Sequence, residues 1–214
     1  MLMDCKEIIE EAVRVLRQGG VILYPTDTVW GLGCDATSEQ AVERIFRIKK
    51  RSSAKSLVLL ACDMDMVARY VKEIPDIAID LVEVNDAPMT IIYPGAQLLA
   101  PNVVAEDGSV GIRIPLDTED NSPASFCRQL VRRLGKPLVS TSANISGEDT
   151  PKCFRDISEE IAGSVDYVVP QRLERGASGR ASQIIKVGLG SEIEVIRPRK
   201  AFLRVQARLR PLPL

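Results

Sequence analysis

The chain contains no histidine in 214 residues. That absence removes the Ser-His-Asp and Cys-His constellations and any histidine-ligated zinc site, and with them most hydrolase templates. The five cysteines, Cys5, Cys34, Cys62, Cys127 and Cys153, are odd in number and show no paired metal-ligand spacing. They read as reduced thiols, mostly packing residues, because a catalytic cysteine normally has a histidine beside it. No apolar run approaches the roughly 20 residues that span a bilayer. The segment from Met1 to Glu7 lacks a basic region followed by an apolar core. No membrane partner and a cytoplasmic location are the expectations. Net charge is also nearly absent at -1, so bulk electrostatics carry no nucleic-acid signature. Chemistry in such a chain has to rest on positioning and fixed charge. Phosphoryl or nucleotidyl transfer suits that inventory, because cations stabilise a transferring phosphate with little need for a proton shuttle near pH 7.

What is present is ordinary for one soluble globular domain: 45% hydrophobic and 27% charged residues. Ile8, Ile9, Ala12, Val13 and Leu16 recur at helical spacing, and Gly19-Gly20 stops them, which predicts a helix over 4–18. A short strand, Val21 to Tyr24, follows. Thr37-Ser38-Glu39-Gln40 has capping-box spacing and opens a second helix. Strands are expected at 56–61, 90–93, 110–114, 138–139, 167–169, 183–187 and 193–196. Helices are expected at 64–71, 76–84 after Pro75, from Ser122-Pro123 to Gly135, and at 157–162. The fold class is α/β with a mixed sheet. Residues 176–180 read as the most mobile loop. After Glu194 there are no acids, and Arg197, Arg199, Lys200, Arg204, Arg208 and Arg210 make the end of the chain basic. That tail reads as a solvated terminus or as an RNA-contacting arm.

Two segments carry most of the functional information. Pro137 to Gly147 is an apolar run that empties into a cluster of hydroxyls, an amide and a glycine. Such a cluster caps a turn or lets donors approach phosphate and carboxylate oxygens at a strand end. Tyr24 to Gly33 follows Gly20-Val21-Ile22-Leu23 in the same arrangement. A third feature, Lys49, Arg51 and Lys55, places three cations around a helix end. By spacing alone it complements the helix dipole or grips a polyphosphate.

Together these segments resemble the YrdC-like family, whose best-understood members are L-threonylcarbamoyladenylate synthases. The resemblance runs from about Gly19 to Arg197. It covers Pro25 to Gly33, Lys49-x-Arg51 with Lys55 four residues on, Ala87 to Tyr93, Ser109 to Pro115 and Ser142-Ala143-Asn144. It implies a twisted mixed sheet with surrounding helices and a concave ligand cleft over residues 1–200, followed by a basic tail, 201–214. The implied reaction condenses L-threonine, bicarbonate and ATP, with Mg2+, into threonylcarbamoyl-AMP and pyrophosphate. The product passes to downstream proteins that transfer the threonylcarbamoyl group to tRNA. Carried over residue by residue, Lys49 and Arg51 are catalytic. Arg51, Lys55, Ser142, Asn144, Thr150 and Arg197 face ATP, and Thr28, Ser109, Arg113, Ser140 and Ser182 face threonine. No residue is expected to hold a metal of its own. Asp27 is read as an Asx-turn acceptor and Trp30 as a packing residue at the rim. The chain departs from the family pattern at Ala87 for glycine, at Ala181-Ser182-Gln183 for Pro-Ser-Thr, and at Arg197-Pro198-Arg199 for Arg-x-Gly. The alternative is a non-catalytic paralogue that acts as an RNA- or nucleotide-binding module, double-stranded RNA included.

Overall fold

The computed structural model describes residues 4–51, 57–116, 122–190 and 192–198. Lys55 and the basic tail lie outside them. Among the described residues nine strands form one mixed sheet: β1 Ile22–Tyr24, β2 Gly31–Gly33, β3 Val58–Leu60, β4 Met89–Tyr93, β5 Val110–Arg113, β6 Leu138–Ser142, β7 Tyr167–Val168, β8 Gln183–Val187 and β9 Ile193–Arg197. Their order is β7-β1-β2-β6-β3-β5-β4-β8-β9. The pairs β1/β7, β3/β5 and β4/β8 are parallel and the rest antiparallel. The helices are α1 Cys5–Arg17, α2 Glu39–Ile48, α3 Met64–Tyr70, α4 Asp76–Glu83, α5 Pro123–Leu134 and α6 Glu159–Gly163. Among the described residues no helix is long and apolar enough to cross a membrane.

Local chemistry accounts for the helix ends. Asp4 caps α1: its carboxylate accepts from the Glu7 amide at 2.8 Å while Glu7 reaches back to the Asp4 amide at 2.9 Å. This reciprocal pair satisfies donors that the first turn leaves open. The buried stripe of α1 packs against α5, which opens on Ser122-Pro123 and closes on left-handed Gly135, as the sequence predicts. The cap of α2 differs by one residue. Ser38, rather than Thr37, accepts from the Ala41 amide, because the Thr37 hydroxyl and amide are both turned to the Asp35 carboxylate.

Sheet register separates the two faces. Residues directly across neighbouring strands share a face. One row, Val139, Leu59, Ile112, Ile91 and Ile185, is apolar and buried throughout. The adjacent row, Ser140, Val58, Gly111, Ile92 and Lys186, mixes polar, small and aliphatic residues and is mostly half-exposed. Burial of the first row builds the core, and the second row lies on the opposite face of the sheet. On that face β2 contributes only backbone: Gly31 pairs with Ser142, and the Tyr24 ring lies where a Gly33 side chain would project, 2.7 Å from the position of an added Cβ. A three-residue strand framed by two glycines has no apolar run to announce it, and the sequence reading takes this stretch as a polar loop.

Candidate active site

The cleft lies on this open face of the sheet. Sequence reasoning puts it off the strand ends, in two polar turns. In the structure β6 continues three residues further, through Ser140-Thr141-Ser142, because those residues pair with β3 and β2. Their hydroxyl-rich character is therefore a strand surface. The cavity measures about 270 Å³ and is bordered by Thr26, by Thr28 to Gly31, by Ser140 to Ser142, and by Arg51, Arg113, Thr150, Ser182 and Arg197. A second cavity of about 450 Å³ adjoins it and shares Val29, Thr150, Ala181 and Arg197. Lys152, Arg180 and Gln183 lie on its walls, with Ala87 and Pro88 as apolar surface.

Among the described residues three guanidinium groups and no carboxylate border the first cavity. Arg113, at the end of β5, is 4% exposed and ion-paired with Asp27 at 2.5 Å. Burial works against the Arg113 charge, but the Asp27 charge and hydrogen bond outweigh it, so the guanidinium holds its proton more tightly than usual. The other carboxylate oxygen of Asp27 is buried without a hydrogen-bond partner among the described residues. The Asx-turn reading of Asp27 is thereby corrected. No local pattern signals this pair, since its members stand 86 residues apart.

The turn before β2 is wired through Thr26. Its hydroxyl donates to the Val29 carbonyl at 2.8 Å and lies 2.7 Å from the Thr28 hydroxyl. A carbonyl only accepts, so the single Thr26 proton goes there and Thr28 is the donor in the hydroxyl pair. The Thr28 oxygen then offers lone pairs to the cleft and suits an ammonium or hydroxyl donor on a ligand. Across the cavity, Ser182 is buried within 2.9 Å of the Thr90 hydroxyl. Arg197 donates to the Ser182 carbonyl at 2.7 Å.

The Lys49–Arg51 element divides its work. The end of α2 closes with the Arg51 amide donating to the Phe46 carbonyl and the Lys50 amide to the Arg47 carbonyl, both at 3.0 Å. Lys50 takes the left-handed conformation, φ 48°, at the position where glycine usually serves. This turn sends Arg51 to the cleft and Lys49 into the interior. Lys49 is 2% exposed. Its ammonium donates to the Ser142 carbonyl at 2.5 Å and to the Asn144 carbonyl at 2.7 Å, while its own carbonyl accepts from the Ser146 amide at 2.8 Å. Expected as a catalytic residue, Lys49 lies behind the cleft wall in this structure and clamps the 142–146 loop. Asn144 is also off the wall, with its side-chain amide donating to the Ile145 and Glu148 carbonyls. Ser109 shares the face of Arg113 but stands four strand residues away, roughly 13 Å. Its hydroxyl donates to Asp107 at 2.6 Å, so it is not a contact of the Arg113 end. Thr28, Arg51, Ser140, Ser142, Thr150, Ser182, Arg197 and Arg113 do converge.

Burial, with the Arg51 charge second, pushes the Lys49 ammonium down to about 8. Between that value and the ordinary lysine range near 10.5 the unfolded chain keeps a proton that the folded chain has released. This group therefore makes stability rise with pH across that window and fall as pH drops back towards 8. Lys49→Met is expected to flatten that slope in urea melts between pH 8 and 10. It also takes the ammonium from the Asn144 carbonyl and leaves the Ser142 carbonyl with the Asn144 amide as donor, at a cost of about 1–3 kcal/mol.

The remaining inventory narrows the chemistry. Burial raises the thiols of Cys34 and Cys127 far above the ordinary cysteine range, so neither supplies a thiolate. Among the described residues no group of three or more Cys, Asp or Glu side chains could hold a metal ion. Ser178 of the loop expected to be mobile donates its amide to the Asp27 carbonyl at 2.9 Å.

A hydroxyl-lined, arginine-bearing cleft on the open face of a twisted mixed sheet defines an α/β protein whose cleft chemistry suits small anionic ligands. The family model described as Sua5/YciO/YrdC, telomere recombination, matches residues 14–198, and the chain belongs to that family. It is similar to proteins named threonylcarbamoyl-AMP synthase from Pseudoalteromonas translucida, with 34% identity covering 80% of this chain and 89% of that one. The same name belongs to a relative from Pseudomonas fluorescens, with 34% identity covering 89% and 96%. Among solved structures, that of P. abyssi Sua5 complexed with L-threonine superposes with a TM-score of 0.73 at 25% identity, covering 87% of this chain. This chain spans about half of that longer protein, 52%. E. coli YciO shares the fold with a TM-score of 0.71 at 24% identity, covering 92% of this chain and 90% of that one.

Proposed function

We propose that the chain is a threonylcarbamoyl-AMP synthase. The observation that carries the reading is the cleft's lining, which among the described residues holds three arginines, a row of hydroxyls and no carboxylate. That lining suits a substrate pair bearing a carboxylate and phosphates. The names of the relatives and the threonine complex of the P. abyssi protein support the same assignment.

In this reading Arg113, held by Asp27, takes the threonine carboxylate, and Thr28 accepts from the amine or hydroxyl. The amine attacks bicarbonate and water leaves, giving a carbamate. A carbamate oxygen then attacks the α-phosphate of ATP, forming the mixed anhydride as the bond to pyrophosphate breaks. Arg51 and Arg197 offset charge on the phosphates, and Ser140 and Ser142 orient the ends of the reacting groups. The two adjoining cavities together give room for both substrates. Magnesium is bound chiefly by carboxylates and phosphates, and among the described residues no carboxylate borders this cleft. Its residues fit a metal that arrives on the nucleotide, with Ser142 and Thr150 the hydroxyls available to it, and it would supply charge neutralisation of the phosphate oxygens. A cytoplasmic location and delivery of the product to tRNA-modifying proteins complete the proposal.

Pyrophosphate release from ATP by the purified protein with magnesium and bicarbonate tests it. Release that depends on L-threonine, with a threonylcarbamoyl-AMP product by mass, is the expected result. No turnover by a folded protein overturns it in favour of the nucleotide- or RNA-binding module.

A further inference from the structure

Trp30 is the only tryptophan in the chain, and it borders the cleft while being 1% exposed. Its indole N–H donates to a Glu174 carboxylate oxygen at 2.6 Å. The same oxygen accepts from the Phe154 amide at 2.9 Å, and the other oxygen accepts from the Gln171 side-chain amide at 2.9 Å. The Phe154 ring packs on Trp30 with centroids 5.0 Å apart and planes at 53°. Phe154 ends the loop that carries Thr150 and Lys152 to the cavity walls, and the Ala177 amide returns to the Glu174 carbonyl at 3.0 Å on the way to Ser178. Three segments that border the cleft are thus fastened at one side chain.

We infer that Glu174 is a positioning residue, acting through the Trp30 indole N–H to set the aromatic wall of the cleft against the Thr150 loop. Three N–H donors converge on it, and a carboxylate, which only accepts, matches all three. Phenylalanine or tyrosine at position 30 has no indole N–H, so this tie depends on tryptophan standing there. The inference deepens the synthase reading for catalysis, while the contact itself is read independently by the emission of the sole tryptophan.

The test uses the full chain with Glu174→Ala, Glu174→Gln, Trp30→Phe and the double variant Trp30→Phe/Glu174→Ala. Glu174→Ala is expected to shift Trp30 emission to longer wavelength and to raise its quenching by acrylamide. It is also expected to lower kcat/KM for L-threonine by roughly tenfold to a hundredfold, the scale of a small misplacement in a positioned site. Glu174→Gln keeps an acceptor for the indole and should return both readouts to within about threefold of the parent, with Gln171 flipping to pair with the new amide. The double variant should be no worse than its worse parent, because residues acting through one contact are not additive. Parent-like kinetics in Glu174→Ala, or losses that multiply in the double variant, overturn the inference. Should Glu174→Ala fail to fold, Trp30→Phe, which leaves the Phe154 and Gln171 contacts in place, decides it: unchanged kcat/KM refutes the role. If the parent shows no turnover, the synthase reading fails, and the emission of Glu174→Ala and Glu174→Gln still judges the contact.

Discussion

Arg113→Met is expected to lower the free energy of unfolding by about 3–5 kcal/mol and to abolish threonine-dependent turnover. The magnitude follows from what stays behind. Asp27 has Arg113 as its ion-pair partner, and its second oxygen is buried with no partner among the described residues, so removing the guanidinium strands a carboxylate in low dielectric. Pairing the change with Asp27→Leu separates the two effects. Replacing both members of a buried ion pair by apolar groups is often neutral for stability, so the double variant should recover most of its urea midpoint. It should remain inactive, because the carboxylate of the amino acid then has no partner. A double variant that stays as unstable as Arg113→Met would show that Asp27 is not what the arginine stabilises. One that regains turnover would show that Arg113 is not the threonine contact.

Arg51→Ala is expected to cut activity by about tenfold to somewhat over a hundredfold, the worth of one charge-assisted contact of roughly 1.5–3 kcal/mol. Arg51→Lys should recover only part of it, because an ammonium lacks the planar fork that pairs with two phosphate oxygens at once. The contrast with Lys49 is the sharper test. The two residues stand two positions apart in one motif, yet one borders the cavity and the other clamps two backbone carbonyls. Arg51→Ala should therefore act on turnover with little change in melting, and Lys49→Met chiefly on melting. The opposite pattern would reverse the roles assigned to them. Steady-state pyrophosphate release and urea melts on the same preparations measure both.

Much of the element pattern was legible because it is local. Capping residues and apolar periodicity place α1, α5 and the β8–β9 pair within a residue or two of where they stand. The strand β2 was not, since Gly31-Leu32-Gly33 becomes a strand only when β1 and β6 supply partners on either side. The candidate site shows the same division. Thr28, Arg113, Ser140, Ser142, Ser182 and Arg197 were named from motifs and do converge on one cavity. The motif that named Arg51 also named Lys49 beside it, and spacing cannot tell an inward cation from an outward one. The left-handed turn at Lys50 makes that choice.

By itself the sequence excluded histidine-dependent chemistry, set an α/β alternation and supplied the hydroxyls and arginines of a phosphate- and carboxylate-binding surface. These are properties of residue type and of spacing along a few turns or strand residues. Tertiary structure decided that the cleft lies on the face of the sheet rather than off its ends. It also decided that Asp27 belongs to Arg113, that Glu174 belongs to Trp30, and that the Lys49 ammonium meets the Ser142 and Asn144 carbonyls. Each of those pairings joins residues 86, 144 or 93 positions apart. Contacts at such separations form when strand pairing and core burial bring the segments together, and no local pattern encodes which partner a buried charge will find.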